Sequence, residues 1–377
     1  SILLFISIVV SKAGYRFGVP TLLIFLLVGM LFGSDGLGLQ FNNASSAQFI
    51  GMLALSIILF TGGLDTRFGD IRPVLAQGIV LSTLGVVFTT LFAGLFIYWI
   101  SGFGWISITL PLTTSLLLAA TMSSTDSASV FNILRSQRMT LKYNLRPMLE
   151  FESGSNDPMA YMLTIVLIQI VSAGSMSAGD IATTLLVQFA VGGAAGYLLG
   201  KVAVWTINKL SLPNTALYPI VVLCFVFFVF SVADLCRGNG YLAVYVAGIV
   251  VGNSKLSFKR EIVTFLDGVT WLFQIILFLM LGLLVNPHEM LSIALAGTLI
   301  GIFMILVARP LSVMLCLLPF RKMKFSSRLF VSWVGLRGAA PILFATYPII
   351  AEVEGANIIF NVVFFVTILS LIVQGTT

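Results

Sequence analysis

The chain has 377 residues, of which 59% are hydrophobic and 9% charged, with a formal net charge of +6. Soluble domains carry roughly 25% charged residues, so these proportions and the long uncharged runs exclude a soluble domain and indicate a polytopic helical membrane protein. The runs lack the ~10-residue alternation of a β-barrel, and a single histidine, His288, rules out a histidine metal cluster or a Ser-His triad within the chain.

Taken in order, the apolar runs predict about thirteen spans, near 1–12, 19–33, 47–63, 73–100, 106–135, 146–173, 180–207, 215–234, 239–253, 257–285, 290–318, 328–350 and 356–374. The first residue is Ser and the first run is short, so the numbering is expected to start inside a longer chain, and no signal peptide is assigned. Basic residues collect after every second span. They are Lys12 and Arg16; Arg67 and Arg72; Arg135, Arg138, Lys142 and Arg146; Lys201 and Lys209; Lys255, Lys259 and Arg260; and Arg321, Lys322, Lys324 and Arg328. The opposite loops hold only Arg237, while Arg309 and Arg337 fall within spans. The positive-inside rule makes the crowded side cytoplasmic, with the N-terminus outside and the C-terminus inside. The basic surplus is thus a topology signal rather than a phosphate-binding one.

Two spans carry the composition of a broken helix. The fifth reads Leu-Leu-Leu-Ala-Ala-Thr-Met-Ser-Ser-Thr-Asp-Ser-Ala-Ser-Val over 116–130. Its Ser and Thr side chains compete for backbone groups and support an unwound turn. The twelfth reads Trp-Val-Gly-Leu-Arg-Gly-Ala-Ala-Pro over 333–341, where Gly335, Gly338 and Pro341 weaken the helix. Each is the fifth member of a set of six. The single transporter domain, 1–377, therefore divides into repeat 1 (about 1–173), a linker helix (about 180–207) and an inverted repeat 2 (about 215–374), with discontinuous helices crossing at the midplane.

The intramembrane charges define the candidate chemistry. Glu150, Glu152 and Asp157 lie within the stretch 150–158, just before the uncharged run Met159–Val171. Glu152 and Asn156, and likewise Ser153 and Asp157, are four apart and share a helix face. Their oxygens are hard ligands for a hard cation or a proton. A charge at the bilayer centre costs at least about 2.5–3.5 kcal/mol, so Glu152 is expected to pair with Arg337 and lock the sixth span to the twelfth. Asp126 and Asp157 are then left to bind a migrating ion. Proton and alkali cation would compete for one carboxylate, and if only loaded states switch sides, competition becomes obligatory exchange.

Other residues carry plainer expectations. Glu150 is expected near the cytoplasmic mouth, and Asp65, Asp70, Asp180, Glu261, Glu289, Glu352 and Glu354 in water. Arg309-Pro310 reads as a kink or a snorkelling cation, and Cys224, Cys236 and Cys316 as buried thiols. Gly192, Gly193, Gly196 and Gly200 read as close helix packing.

Phe-Glu-Ser-Gly-Ser-Asn-Asp-Pro (151–158), Ser-Ser-Thr-Asp (123–126) and Gly-Leu-Arg-Gly-Ala (335–339) together resemble the NhaP-type bacterial monovalent cation:proton antiporters. The continuation into Met159 and Ala160 looks like their potassium/proton (CvrA-like) branch. The resemblance implies thirteen helices with a six-helix core and a dimerisation domain, a homodimer in the bacterial inner membrane, and elevator-like movement. It implies Asp157 as the central ion- and proton-binding carboxylate, completed by Asp126, the Thr125 backbone and Ser153, with Asn156 holding the crossing and Glu152 paired to Arg337. No cofactor is implied beyond the transported K+ or Na+ and H+. Relatives of this branch often carry a cytoplasmic regulatory domain, for which a nucleotide ligand is expected, beyond Thr377. Spacing leaves potassium and sodium both open. A cation channel would need filter-like rings, which the sequence lacks, and an intramembrane hydrolase using Ser153 or Ser155 would lack a histidine base.

Overall fold

A computed structural model describes residues 2–16, 21–41, 43–104, 106–126 and 144–375. These residues form helices and connecting turns, with no strand among them. In chain order the helices are α1 (Ile2–Arg16), α2 (Thr21–Phe32), α3 (Ala44–Asp65), α4 (Phe68–Ile100), α5 (Leu112–Thr121), α6 (Leu145–Ala173) and α7 (Ala178–Lys209). There follow α8 (Leu217–Leu235), α9 (Gly240–Gly252), α10 (Lys259–Leu284), α11 (Pro287–Leu317), α12 (Phe325–Trp333), α13 (Ala339–Ile350) and α14 (Ala356–Val373). Eight of them, α3, α4, α6, α7, α8, α10, α11 and α14, are long and apolar enough to cross a membrane alone. The chain is a multi-pass membrane protein. The second half of the expected fifth span, 127–135, lies outside the described residues, as do Arg135, Arg138 and Lys142.

The chain divides into two compact units. One comprises Ser1–Phe49, Ala76–Met176 and Ile275–Thr377 and contains α4 from Ala76 onward, α5, α6 and α11 to α14. Within it, α2 and α10 approach through Gly29 and Gly282, where a β-carbon on Gly29 would lie 2.9 Å from the Gly282 Cα. Two helices of this unit carry a π turn, α4 at Leu81–Gly85 and α11 at Met304–Ala308. A π turn leaves one residue surplus to the α ladder and bends or re-aims the helix. The last residue of the first turn is tied to α11 beyond its own π turn: the Gly85 carbonyl accepts from Ser312 Oγ (2.7 Å) as well as from Thr89 Oγ1 (2.7 Å).

The other unit comprises Ile50–Leu75 and Ser177–Gln274. Ser177 caps α7 by accepting from the Asp180 N–H at 3.1 Å, and Asn239 caps α9 by accepting from the Leu242 N–H at 2.9 Å. The buried stripe of α7, Gly192, Gly196, Gly200, Ala203 and Ile207, faces α9; a β-carbon on Gly200 would lie 3.1 Å from the Ala247 Cα. Gly193 lies off this stripe, in open space. Of the cysteines only Cys316 is buried; Cys224, on the outer face of α8, and Cys236, at its end, are exposed.

Candidate functional site

The site is built where two interrupted helices meet α6. Helix α5 stops at Thr121 because local hydroxyls take the carbonyls that the next turn would need. Thr121 Oγ1 donates to Leu118 O (2.8 Å) and Ser123 Oγ to Ala120 O (2.7 Å). Ser123 to Asp126 then run without helix. On the other side α12 stops at Trp333, residues 334–338 are unwound, and α13 begins at Ala339. The two breaks are joined backbone to backbone: the Asp126 N–H donates to Leu336 O at 2.6 Å. Gly338 is needed there, because a β-carbon on it would fall 2.6 Å from Asp126 Oδ2.

Helix α6 runs unbroken through Pro158 and presents its polar stripe to the first break. Ser124 Oγ donates to Asp157 Oδ1. Ser153 Oγ donates to the Thr125 carbonyl (2.9 Å), and Asn156 Nδ2 donates to Thr125 Oγ1 (2.6 Å). Asp157, Asp126, Ser153, Thr125 and Asn156 thus lie together around the first break. Asp157 and Asp126 are partly accessible, whereas Thr125 and Asn156 are buried. Among the described residues no lysine or arginine lies within ion-pair distance of Asp157. The Asn156 Oδ1 is buried without a hydrogen-bond donor. The site therefore offers carboxylate, hydroxyl and amide oxygens, a set that suits a hard cation or a proton.

The expected Glu152–Arg337 pair is corrected. Glu152 Oε1 lies 2.6 Å from Arg309 Nη2, with side chains 1% and 3% exposed. The approach is that of an ion pair without hydrogen-bond alignment at those two atoms. Arg309 is therefore a buried, paired charge and not a snorkelling cation. It follows the π turn of α11, and Gly335 makes room for it: a β-carbon there would lie 3.1 Å from the Arg309 Cγ and Nε. Arg337 is fully buried and serves the breaks instead. Its Nε donates to Met122 O (3.2 Å) and its Nη1 to Gly335 O (2.8 Å). The carbonyl ends of the stopped helices lack intrahelical donors and carry partial negative charge, which is why a cation sits there rather than beside Glu152. The Arg337 N–H in turn donates to Ser370 Oγ (3.1 Å), Ser370 to Gln374 Oε1 (2.6 Å), and Gln374 Nε2 to Trp333 O (2.7 Å).

Sequence reasoning missed Ser124, Arg309, Ser370 and Gln374. Ser124 had a signal in its polar run, and Arg309 in being a charge inside an apolar span. Ser370 and Gln374 had none. Glu150 pairs with Arg146 at 2.9 Å and is partly exposed. Asp65, Asp70, Asp180, Glu261, Glu289, Glu352 and Glu354 are all exposed.

Comparison with known proteins matches this architecture. The potassium/proton antiporter NhaP of Alkalimonas amylolytica is 43% identical over 375 residues, covering 99% of this chain and 64% of that protein. The potassium/proton antiporter NhaP2 of Shewanella sp. strain MR-4 is 40% identical over 375 residues, with the same 99% and 64% coverage. The chain thus spans less than two thirds of the length of either relative. The structure of the sodium proton antiporter MjNhaP1 from Methanocaldococcus jannaschii at pH 8 superposes with a TM-score of 0.84 at 22% identity, covering 100% of this chain and 97% of that one, which establishes a shared fold. The model of the transmembrane sodium/hydrogen exchanger family matches residues 1–377, and the chain belongs to that family.

Proposed function

We propose that this chain is the membrane domain of an antiporter that exchanges a monovalent cation, potassium, for protons, with cation and proton competing for Asp157. The observation that carries the reading is Asp157 itself. Its carboxylate sits against an unwound segment, takes a bond from Ser124, and has no cationic side chain at ion-pair distance among the described residues. A carboxylate in such surroundings needs a bound proton or cation to offset its charge. Asp126, Thr125, Ser124 and Ser153 supply further oxygens. Asn156 holds Thr125 in place, and Glu152 with Arg309 ties α6 to α11. Family membership supports exchange of a monovalent cation for protons, and two relatives named as potassium/proton antiporters support potassium as that cation.

The reading extends to the inverted repeat. The π turns of α4 and α11 fall on the fourth member of each expected set of six, and the breaks on the fifth, which supports the division into repeats about a linker, α7. Orientation with the basic loops in the cytoplasm, residence in the bacterial inner membrane, and a homodimer complete the proposal. A regulatory domain beyond Thr377 would add control by a nucleotide.

The test is dequenching of a pH-sensitive dye in proteoliposomes, with potassium, sodium, rubidium and lithium added in turn. Potassium should give the largest signal, and proton movement should depend strictly on the counter-cation. The family's sodium members keep sodium as the second reading, which a larger sodium response would favour. Proton or cation flux without a counter-ion would instead indicate a channel. Asp157→Asn should abolish exchange with the melting temperature retained; residual cation-driven proton movement would remove Asp157 from the mechanism.

A further inference from the structure

Helix α7 carries, on the face opposite its glycine stripe, a ladder of aromatic and cationic side chains one turn apart: Tyr197, Lys201, Trp205 and Lys209. The Lys201 Nζ lies 5.7 Å from the centre of the Tyr197 ring, and the Lys209 Nζ 4.9 Å from that of Trp205. Tyr197 is 53% and Trp205 61% exposed. Neither lysine has a carboxylate within ion-pair distance among the described residues. Between Asp180 and Glu261 the only acidic residue is Asp234. It ends α8 beside Asn239, whose N–H bonds the Gln188 carbonyl nearer the other end of α7. More positive charge is held close by. Asn208 Nδ2 donates to Lys255 O (2.9 Å) and Asn208 Oδ1 accepts from the Ser257 N–H (2.9 Å), so the loop bearing Lys255, which leads into Lys259 and Arg260 at the start of α10, is fastened to the end of α7. The acids at this end are Glu261, and Asp65 and Asp70 of the segment that Asn253 bonds through Thr66 O (2.8 Å) and the Phe68 N–H (2.8 Å).

We infer that this ladder is a binding site for the phosphate headgroup of an anionic phospholipid. Three features select that occupant. The end of a membrane-spanning helix lies at headgroup depth, where tyrosine and tryptophan place a polar tip toward water and a ring in the apolar layer. Lysine stems lie along such surface and deliver the ammonium to the same depth. Leu198 and Val202, both exposed beside the ladder, give the acyl chains an apolar track toward the middle of the helix. The Lys201 and Lys209 charges are complementary to a phosphodiester, and among the described residues no carboxylate lies within ion-pair distance of either.

The test uses Trp205 as reporter. Phosphatidylglycerol or phosphatidylcholine with brominated acyl chains is titrated into the detergent-solubilised full chain, and the quenching lost in Trp205→Phe isolates the site. Phosphatidylglycerol should saturate the Trp205 signal at lower mole fraction than phosphatidylcholine. Each basic residue near an anionic headgroup contributes about 1 kcal/mol, so Lys201→Gln with Lys209→Gln should weaken phosphatidylglycerol binding about 30-fold and leave phosphatidylcholine unchanged. The pair Lys201→Arg with Lys209→Arg should retain the preference, and added salt should shrink it in the native protein. Equal quenching by the two lipids overturns the inference, as does an unaltered preference in the glutamine pair. A fall in dimer content of the glutamine pair without lipid also overturns it, because the ladder would then belong to an interface with a second copy. If the glutamine pair does not fold, a salt-insensitive preference in the native protein overturns the inference by itself.

Discussion

Glu152 and Arg309 illustrate what a buried charge demands. Each alone would be stranded in an apolar interior, and removing one partner of a buried pair typically costs about 3–5 kcal/mol. Glu152→Gln and Arg309→Met should therefore each lower stability strongly, and the double variant should recover most of the loss, as read by thermal or denaturant unfolding. The same cycle with Arg337→Met should show little coupling to Glu152, because Arg337 bonds to carbonyls instead. At this scale the sequence is informative about which residues are charged inside spans, and silent about their partners. Glu152 and Arg337 are both legible as intramembrane charges. That Arg309, next to a proline, takes the carboxylate depends on helix rotation, which hydropathy does not encode.

Among the elements, the two breaks were readable because their causes are local. The Ser/Thr run of 121–125 offers hydroxyls that end α5, and the glycines around Arg337 end α12. Their mutual geometry is tighter than composition implies. Gly338→Ala would push a methyl group against Asp126, displacing it from the crossing, and should lower exchange about tenfold, equivalent to about 1.4 kcal/mol in the transport step. Dye-dequenching rates beside melting curves would check this; an unchanged rate would mean that Asp126 can retreat without consequence. The π turns of α4 and α11 left no trace in the apolar pattern, since one inserted residue does not alter mean hydropathy.

For the molecule as a whole, hydropathy was enough to locate most helices, because every backbone group in hydrocarbon must be bonded within the helix. Charge asymmetry gave an orientation that labelling can test. Cys236 is exposed at the end of α8, in the region of the sole loop arginine assigned to the outside, Arg237. A membrane-impermeant maleimide should label it in intact cells, and should not reach buried Cys316 in folded protein; labelling of Cys236 only after lysis would invert the orientation. Outside the spans, Asp35 accepts from the backbone N–H of His288 (3.0 Å) and lies 2.6 Å from the His288 Nδ1. The backbone bond first, and the ring second, hold the Asp35 carboxyl below its ordinary value of 3.8. The unfolded chain then binds the proton more readily, so the stabilisation is present above pH 3.8 and is lost as pH falls from there through the lower folded value. Melting curves taken down to pH 3 should show Asp35→Asn less acid-sensitive than the parent; identical profiles would show that the bond does not affect stability.

The surplus residue in α11 also separates position in space from position along the chain. Deleting one position within 304–308 would let an ordinary α turn cover the same rotation, so the residues beyond would keep their places. Arg309 would stay against Glu152 although its number had dropped by one. A relative lacking that extra residue would present its arginine one position earlier, so homologous arginines in this helix should be matched by three-dimensional position rather than by counting along the chain.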